Sequence, residues 1–224
     1  MNKENRALKW KTFLAAIIMA AALSVFSIIA IGLQQSHIVL SIILIIVLAF
    51  IYIWFIIGLY KYWKYHLAKD YYESTLKNKY VNLFWLIMCI IIMLGFHFIQ
   101  SFTGHTERHF EMNPNLYTII CVFIFQVIFS SITEEMVSRA LFLSIYLREL
   151  SSLNKNIVYI VFCVLASALI STLFHGISSP MAFLSIYING ILAAILYLKT
   201  RSVKYPILLH GLNNLLAWIA LIIT

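Results

Sequence analysis

Apolar runs of about twenty residues recur along this chain, separated by short basic or polar stretches. As an α-helix at about 1.5 Å per residue, a run of that length crosses the roughly 30 Å hydrocarbon core of a bilayer. Seven runs fit: Thr12–Leu33, Ile38–Tyr60, Val81–Ile99, Leu116–Leu147, Ile157–His175, Met181–Leu198 and Pro206–Ile223. The fourth is too long for one straight crossing, so it is expected to tilt, kink or project beyond the membrane. Composition agrees. Of 224 residues, 63% are hydrophobic and 11% charged, with a mean hydropathy of +0.95, where a soluble domain is about half apolar and a quarter charged. The expected fold class is all-α: a multipass transmembrane helical bundle, one membrane domain overall.

Orientation follows from the basic residues. With the N-terminus in the cytoplasm, Lys3, Arg6, Lys9 and Lys11 are inside. So are Lys61, Lys64, Lys69, Lys77 and Lys79, then Arg148 and Lys155, then Lys199, Arg201 and Lys204. Arg108 alone falls outside, and Arg139 lies within a span, which satisfies the positive-inside rule. The basic N-terminus leads into a run too long for a signal-peptide core, so it reads as a retained first helix that also targets the chain. The expected location is the cell membrane, and the high Ile and Lys content points to a bacterial plasma membrane.

The formal charge of +8 would raise nucleic acid as a partner in a soluble protein. Here the basic residues sit at helix ends and serve orientation, so no nucleic acid partner is expected. Cys89, Cys121 and Cys163 each fall in an apolar run, without metal-ligand spacing, and read as small core residues. The 61–80 stretch, with Tyr60, Tyr62, Trp63, Tyr65, Tyr71 and Tyr72, reads as an aromatic interfacial loop lying against membrane lipid. No HExxH, GxSxG or P-loop occurs, and the one Asp, Asp70, is in a loop, which removes a Ser-His-Asp reading. A proton-coupled transporter would call for repeats or paired half-helices, and none is seen.

Polar side chains inside the runs carry the functional signal, because an intramembrane charge is costly and faces a bundle interior or a wet cavity. In the fourth run Gln126, Ser130, Glu134 and Ser138 step by four, on one helix face. Glu135 and Arg139 form an i,i+4 pair in the favourable acid-first order. Arg139 is thus expected to offset the burial of Glu135. Glu134, with no basic residue four positions on, is the better working carboxylate, suited to take a proton from water. Ser167, Ser171 and His175 step by four in the fifth run, with Thr172 beside them. His210 and Asn214 lie one turn apart in the seventh, with Asn213 adjacent. Such a pair can hold a metal or donate to an oxyanion. The sixth run adds Ser185, Asn189 and Gly190, the last read as an allowance for close helix packing.

Glu134-Glu135-x-x-x-Arg139, then His175, then His210-x-x-x-Asn214, in that order on three apolar helices, resembles the CPBP family. These are the CAAX-protease and bacteriocin-processing, or Abi, intramembrane proteases, with the type II CAAX prenyl endopeptidases as eukaryotic relatives. Ser171 stands where the family has Phe, and Ala140 where Gly often follows the arginine. The resemblance divides the chain into N-terminal membrane helices with an interfacial loop, 1–115, and a CPBP-like catalytic core, 116–224. It implies an endopeptidase acting on a membrane-associated peptide or lipidated-protein substrate. Glu134 would activate the attacking water, aided by His175, and His210 and Asn214 would stabilise the oxyanion, with Glu135 and Arg139 supporting. Zinc held by Glu134, His175, His210 and Asn214 is the other chemistry implied. Two His, one Glu and one Asn make an unusual zinc set, so the metal-free mechanism stands nearly level with it. Small bacterial members are linked to bacteriocin immunity or peptide maturation, which leaves a non-catalytic immunity or binding protein as the rival class.

One geometric demand is plain at this stage. Counted at about 1.5 Å per residue, His210 lies some 9 Å beyond Lys204, and His175 about 30 Å beyond Lys155. Convergence requires the fifth helix to start deep in the cytoplasm, to tilt or to dip.

Overall fold

The computed structural model describes residues 3–67, 79–102, 115–145, 157–175 and 179–223. Tyr71, Tyr72, Arg108, Arg148 and Lys155 lie outside the described residues. Seven long helices, with no strand among the described residues, make up the bundle. They are α1 (Lys3–Gly32), α2 (Ile38–Tyr62), α3 (Lys79–Phe102), α4 (Leu116–Leu143), α5 (Ile157–Thr172), α6 (Pro180–Thr200) and α7 (Lys204–Ile223). By length and composition α1, α2, α3, α4 and α6 can each cross a membrane. The other two expected spans are different in kind. α5 is apolar but has 16 residues, about 24 Å of helix. α7 carries His210, Asn213 and Asn214 within its 20 residues. Part of the expected interfacial loop is helical, since α2 runs on through a π turn, Trp63–Leu67.

α4 is the central element. α1 and α2 pack on one side of it, α5 and α7 on the other, and α6 closes the bundle against α5, α3 and α7. Tyr52 of α2 stacks on Phe129 of α4 at 5.1 Å between ring centres and meets Phe125 edge-on at 5.6 Å. Trp218 of α7 donates to the Ile119 carbonyl of α4 at 3.0 Å.

Local chemistry sets the ends of the helices that carry the site. Asn115 caps α4 by accepting from the Thr118 N–H at 2.9 Å. Ser179 caps α6 through the Ala182 N–H, with Pro180 at the first helical position. Arg201, at φ 51°, ends α6 in the left-handed conformation and returns the chain into α7 within three residues. So short a turn makes α6 and α7 antiparallel neighbours and sets residues at matching distances from it, such as Asn189 and Asn213, opposite one another.

α4 is not regular. Phe123–Ser130 and Met136–Leu143 are wound as π-helix, and only Ser131–Glu135 between them is α. Hydroxyls account for part of this. Thr133 donates to the Phe129 carbonyl at 2.7 Å, and Ser138 donates to that of Glu134. A side chain bonded to the carbonyl four residues back competes with the main-chain N–H for it, which favours the wider i→i+5 turn.

Candidate active site

Two carboxylates and an arginine occupy the middle of the bundle: Glu134 is 4% exposed, Glu135 1% and Arg139 0%. Arg139 has one ion pair and two hydrogen bonds. Nε lies 3.2 Å from Glu135 Oε2 as an ion pair, Nη1 donates to Ser138 Oγ, and Nη2 donates to the Gly190 carbonyl at 2.8 Å. That last bond requires α6 to come close, and Gly190 is what permits it. A Cβ there would stand 3.1 Å from both Cα and Cβ of Ala168 on α5. The packing role read for Gly190 in the sequence is thus visible, together with a second one, its carbonyl as an arginine acceptor.

Glu135 does more than pair with Arg139. Its Oε1 accepts from His210 Nδ1 at 2.9 Å. Because Nδ1 carries the proton in that bond, a neutral His210 presents a bare Nε2 to the other side, 3.9 Å from Glu134 Oε2. Carboxylate, imidazole and outward nitrogen in series fix the tautomer and the ring plane.

Glu134 is supported at one oxygen only. Ser130 Oγ donates to Oε1, while Oε2 is buried with no hydrogen-bond partner. Buried carboxylate oxygens are rarely left so. Oε2 has His210 on one side and His175 Nδ1 at 3.7 Å on the other, and the two imidazole rings stack with centres 5.8 Å apart. The side chain of His175 is 26% exposed and that of His210 9%, so the cluster opens on the His175 side.

His175 therefore does arrive. Ser167 of α5 donates to the Ser138 carbonyl of α4 at 2.7 Å, one turn past Glu134. α5 reaches that level by its eleventh residue, leaving only two turns between the Ser167 contact and His175. The α-helix stops at Thr172. The chain then tightens, with Phe174 N–H bonded to the Ser171 carbonyl and His175 N–H to that of Thr172. The His175 ring folds back so that Nδ1 donates to the Ser171 carbonyl at 3.1 Å.

The Asn214 amide nitrogen is engaged with α4. It donates to the Gln126 carbonyl and to Ser131 Oγ, both at 3.0 Å. Both N–H bonds thus go to α4, and an oxyanion role would require one of them to be released. Glu134, His175 and His210 remain, with ligand atoms all within 4.8 Å of one another. These three donors, two His and one Glu, are a known catalytic zinc set. The orphaned Oε2 and the bare, carboxylate-backed Nε2 of His210 fit such an ion. His175 would fit only as its Nε2–H tautomer, which bares Nδ1 and gives up the bond to the Ser171 carbonyl.

Ser131, Gln100 and His97 were not singled out from the sequence. His97 on α3 bonds Asn213 at 2.8 Å. A histidine in an apolar run resembles a satisfied core residue, with Gln100 and Ser101 one turn on as the polar signal beside it.

Residues 115–216 match the family model described as Type II CAAX prenyl endopeptidase Rce1-like. The segment 115–216 is similar to the Rce1-like family. No curated protein and no solved structure matches the chain. The Rce1-like family is a protease family, and the apolar helices make this chain a multi-pass membrane protein. All of Glu134, Glu135, Arg139, His175, His210 and Asn214 lie within the Rce1-like segment; α1, α2 and α3 precede it.

Proposed function

We propose that this protein is an intramembrane endopeptidase that hydrolyses a peptide bond in a membrane-associated peptide or lipidated protein. The observation that carries the reading is the single uncommitted oxygen of Glu134, buried between two imidazoles. A water in that space is within reach of Oε2, of the bare Nε2 of His210 and of the Nδ1–H of His175. Oε2 takes the proton as the water oxygen bonds to the scissile carbonyl carbon. On release from the Ser171 carbonyl, the Nδ1–H of His175 donates to the developing oxyanion. Collapse breaks the C–N bond, and Glu134 returns the proton to the leaving amine, so proton and electron count close. Glu135 holds His210, and Arg139 holds Glu135.

Glu134, His175 and His210 would hold a zinc ion, which would supply Lewis-acid polarisation of the carbonyl. We favour the glutamate chemistry, because the nitrogen of His175 nearest Glu134 carries a proton. The test uses a quenched farnesylated CAAX peptide and the purified full chain in detergent. Wild type cleaves it and Glu134→Gln does not. Turnover persists in a zinc chelator with no zinc by elemental analysis. Equal turnover by Glu134→Gln would overturn the mechanism, and loss of turnover with zinc removal would move it to metal chemistry.

A further inference from the structure

Besides the catalytic cluster, the described residues hold a second polar cluster between helices α3, α6 and α7. Asn213 Oδ1 accepts from His97 Nε2–H at 2.8 Å and from Asn189 Nδ2 at 3.1 Å. Both lone pairs of that oxygen are then used. The two Nδ2–H donors of Asn213, Nδ1 of His97 and the carboxamide oxygen of Asn189 find no partner among the described residues. Ser185 donates to Gln100 at 3.3 Å one turn further along α3 and α6, so the polar stripe continues past the cluster.

Asn213 follows His210 by three residues, so the two share a helix face about one turn apart. One turn is about 5.4 Å, the length of one to two residues of extended chain. The unspent groups are donors and acceptors together, and all are neutral. Among the described residues no cation bonds these three side chains, so a carboxylate or phosphate is not the matching ligand. An extended peptide main chain, with an N–H and a C=O at each residue, matches both kinds. The two bonds to Asn213 Oδ1 serve as interhelical adhesion, and the amide donors of Asn213 are left over.

We infer that His97, Asn189 and Asn213 form a main-chain subsite that positions the substrate beside the scissile bond. Asn213 donates to a substrate carbonyl, with His97 and Asn189 fixing its amide plane. This deepens the peptidase reading and rests on it for the identity of the bound chain. His97 is the contribution of α3, which lies before the Rce1-like segment.

The test measures binding separately from turnover. The probe is the farnesylated CAAX peptide, fluorescently labelled, titrated against full-length Glu134→Gln protein in detergent. Adding Asn213→Asp keeps the accepting oxygen for His97 and Asn189 and removes the two N–H donors. It should weaken the peptide roughly fivefold, the value of one net hydrogen bond; an unpaired carboxylate on a membrane helix is costly, so the melting temperature is measured alongside and the ester arm below decides if the variant is destabilised. In the active chain the same change should raise KM with kcat nearly constant. His97→Phe should weaken binding similarly, and His97→Gln, which restores a donor to Asn213, should recover it. A second arm needs no variant: peptides with single main-chain esters flanking the scissile bond should lose affinity at one position and not at the others. Uniform affinity across that series, or Asn213→Asp binding like its parent, or no binding of the peptide at all, would overturn the subsite. Binding that responds as stated in a chain that never cleaves the peptide would leave the subsite standing and sink the peptidase reading.

Discussion

In the most apolar stretch of α2, 17% of residues are buried, against 44% in that of α4. The helices differ as much in what they bury. α1 and α2 turn large aliphatic and aromatic side chains outward, Trp54 at 73% exposed among them, and meet α4 through rings and a few hydroxyls. α4 buries two carboxylates and an arginine. Lipid cannot satisfy such groups, so a charged helix has to be wrapped by others. The N-terminal hairpin supplies wrapping, while α5, α6 and α7 supply wrapping and the partner groups themselves.

The sharpest test of that contrast is Glu134→Gln. The amide is nearly isosteric and can keep the bond from Ser130, so only the basicity is lost. Turnover should fall by roughly 10²–10⁴-fold, the range for general-base catalysis, with a melting temperature close to wild type. Arg139→Ala should act in the opposite sense, on the fold first. It strips Glu135 of its charge partner and leaves the Gly190 carbonyl without its donor, at about 3 to 5 kcal/mol for a broken buried pair. Expression and melting temperature should drop, and activity with them. If Glu134→Gln melts far below wild type while Arg139→Ala matches it, the division between working and supporting charges is reversed.

Gly190→Ala should cost about 1 to 3 kcal/mol as overpacking. The new methyl would meet Ala168 at 3.1 Å, main chain and side chain alike, so α5 and α6 have to separate. Separation lengthens the Arg139 bond to the Gly190 carbonyl. Loss of stability on thermal melting should be relieved by Ala168→Gly in the same chain. No relief would mean that the crowding is not between those two residues.

How much of this was legible differs between the same regions. Apolar run length was enough for seven helices, because crossing a bilayer leaves little choice of element. The Glu135–Arg139 pairing was legible too, since an i,i+4 relation is internal to one helix. Relations between helices were not. Counting rise from the flanking loops gave His175 and His210 different depths, because the count assumes straight, full-length helices. α5 instead sets Ser167 against Ser138 and stops at Thr172. Asn214 was grouped with His210 by spacing, yet its amide bonds go to Gln126 and Ser131. Glu135 as the partner of His210, and His97 as that of Asn213, depend on which helix faces which. The π turns of α4 carry no residue pattern that distinguishes them beforehand.

The smallest expected effect is the one that most directly asks whether the N-terminal hairpin is only wrapping. Ser41 of α2 donates to the Ala30 carbonyl of α1 at 2.5 Å, and its oxygen lies 2.6 Å from the Tyr117 hydroxyl at the start of α4. It thus ties α1, α2 and α4 together near Leu116, the end of α4 away from Glu134, which is about 27 Å of helix further on. Ser41→Ala removes both contacts. Hydrogen bonds between membrane helices average about 0.6 kcal/mol by double-mutant cycles, because the separated helices find other partners. A slight fall in melting temperature is therefore expected, with kcat/KM unchanged. Adding Tyr117→Phe to Ser41→Ala should then cost little more than Ser41→Ala alone, since the contact it removes is already gone. A severalfold loss of turnover at constant melting temperature would show that the hairpin sets the geometry of Glu134 across the whole length of α4, and the contrast between wrapping and chemistry would fail.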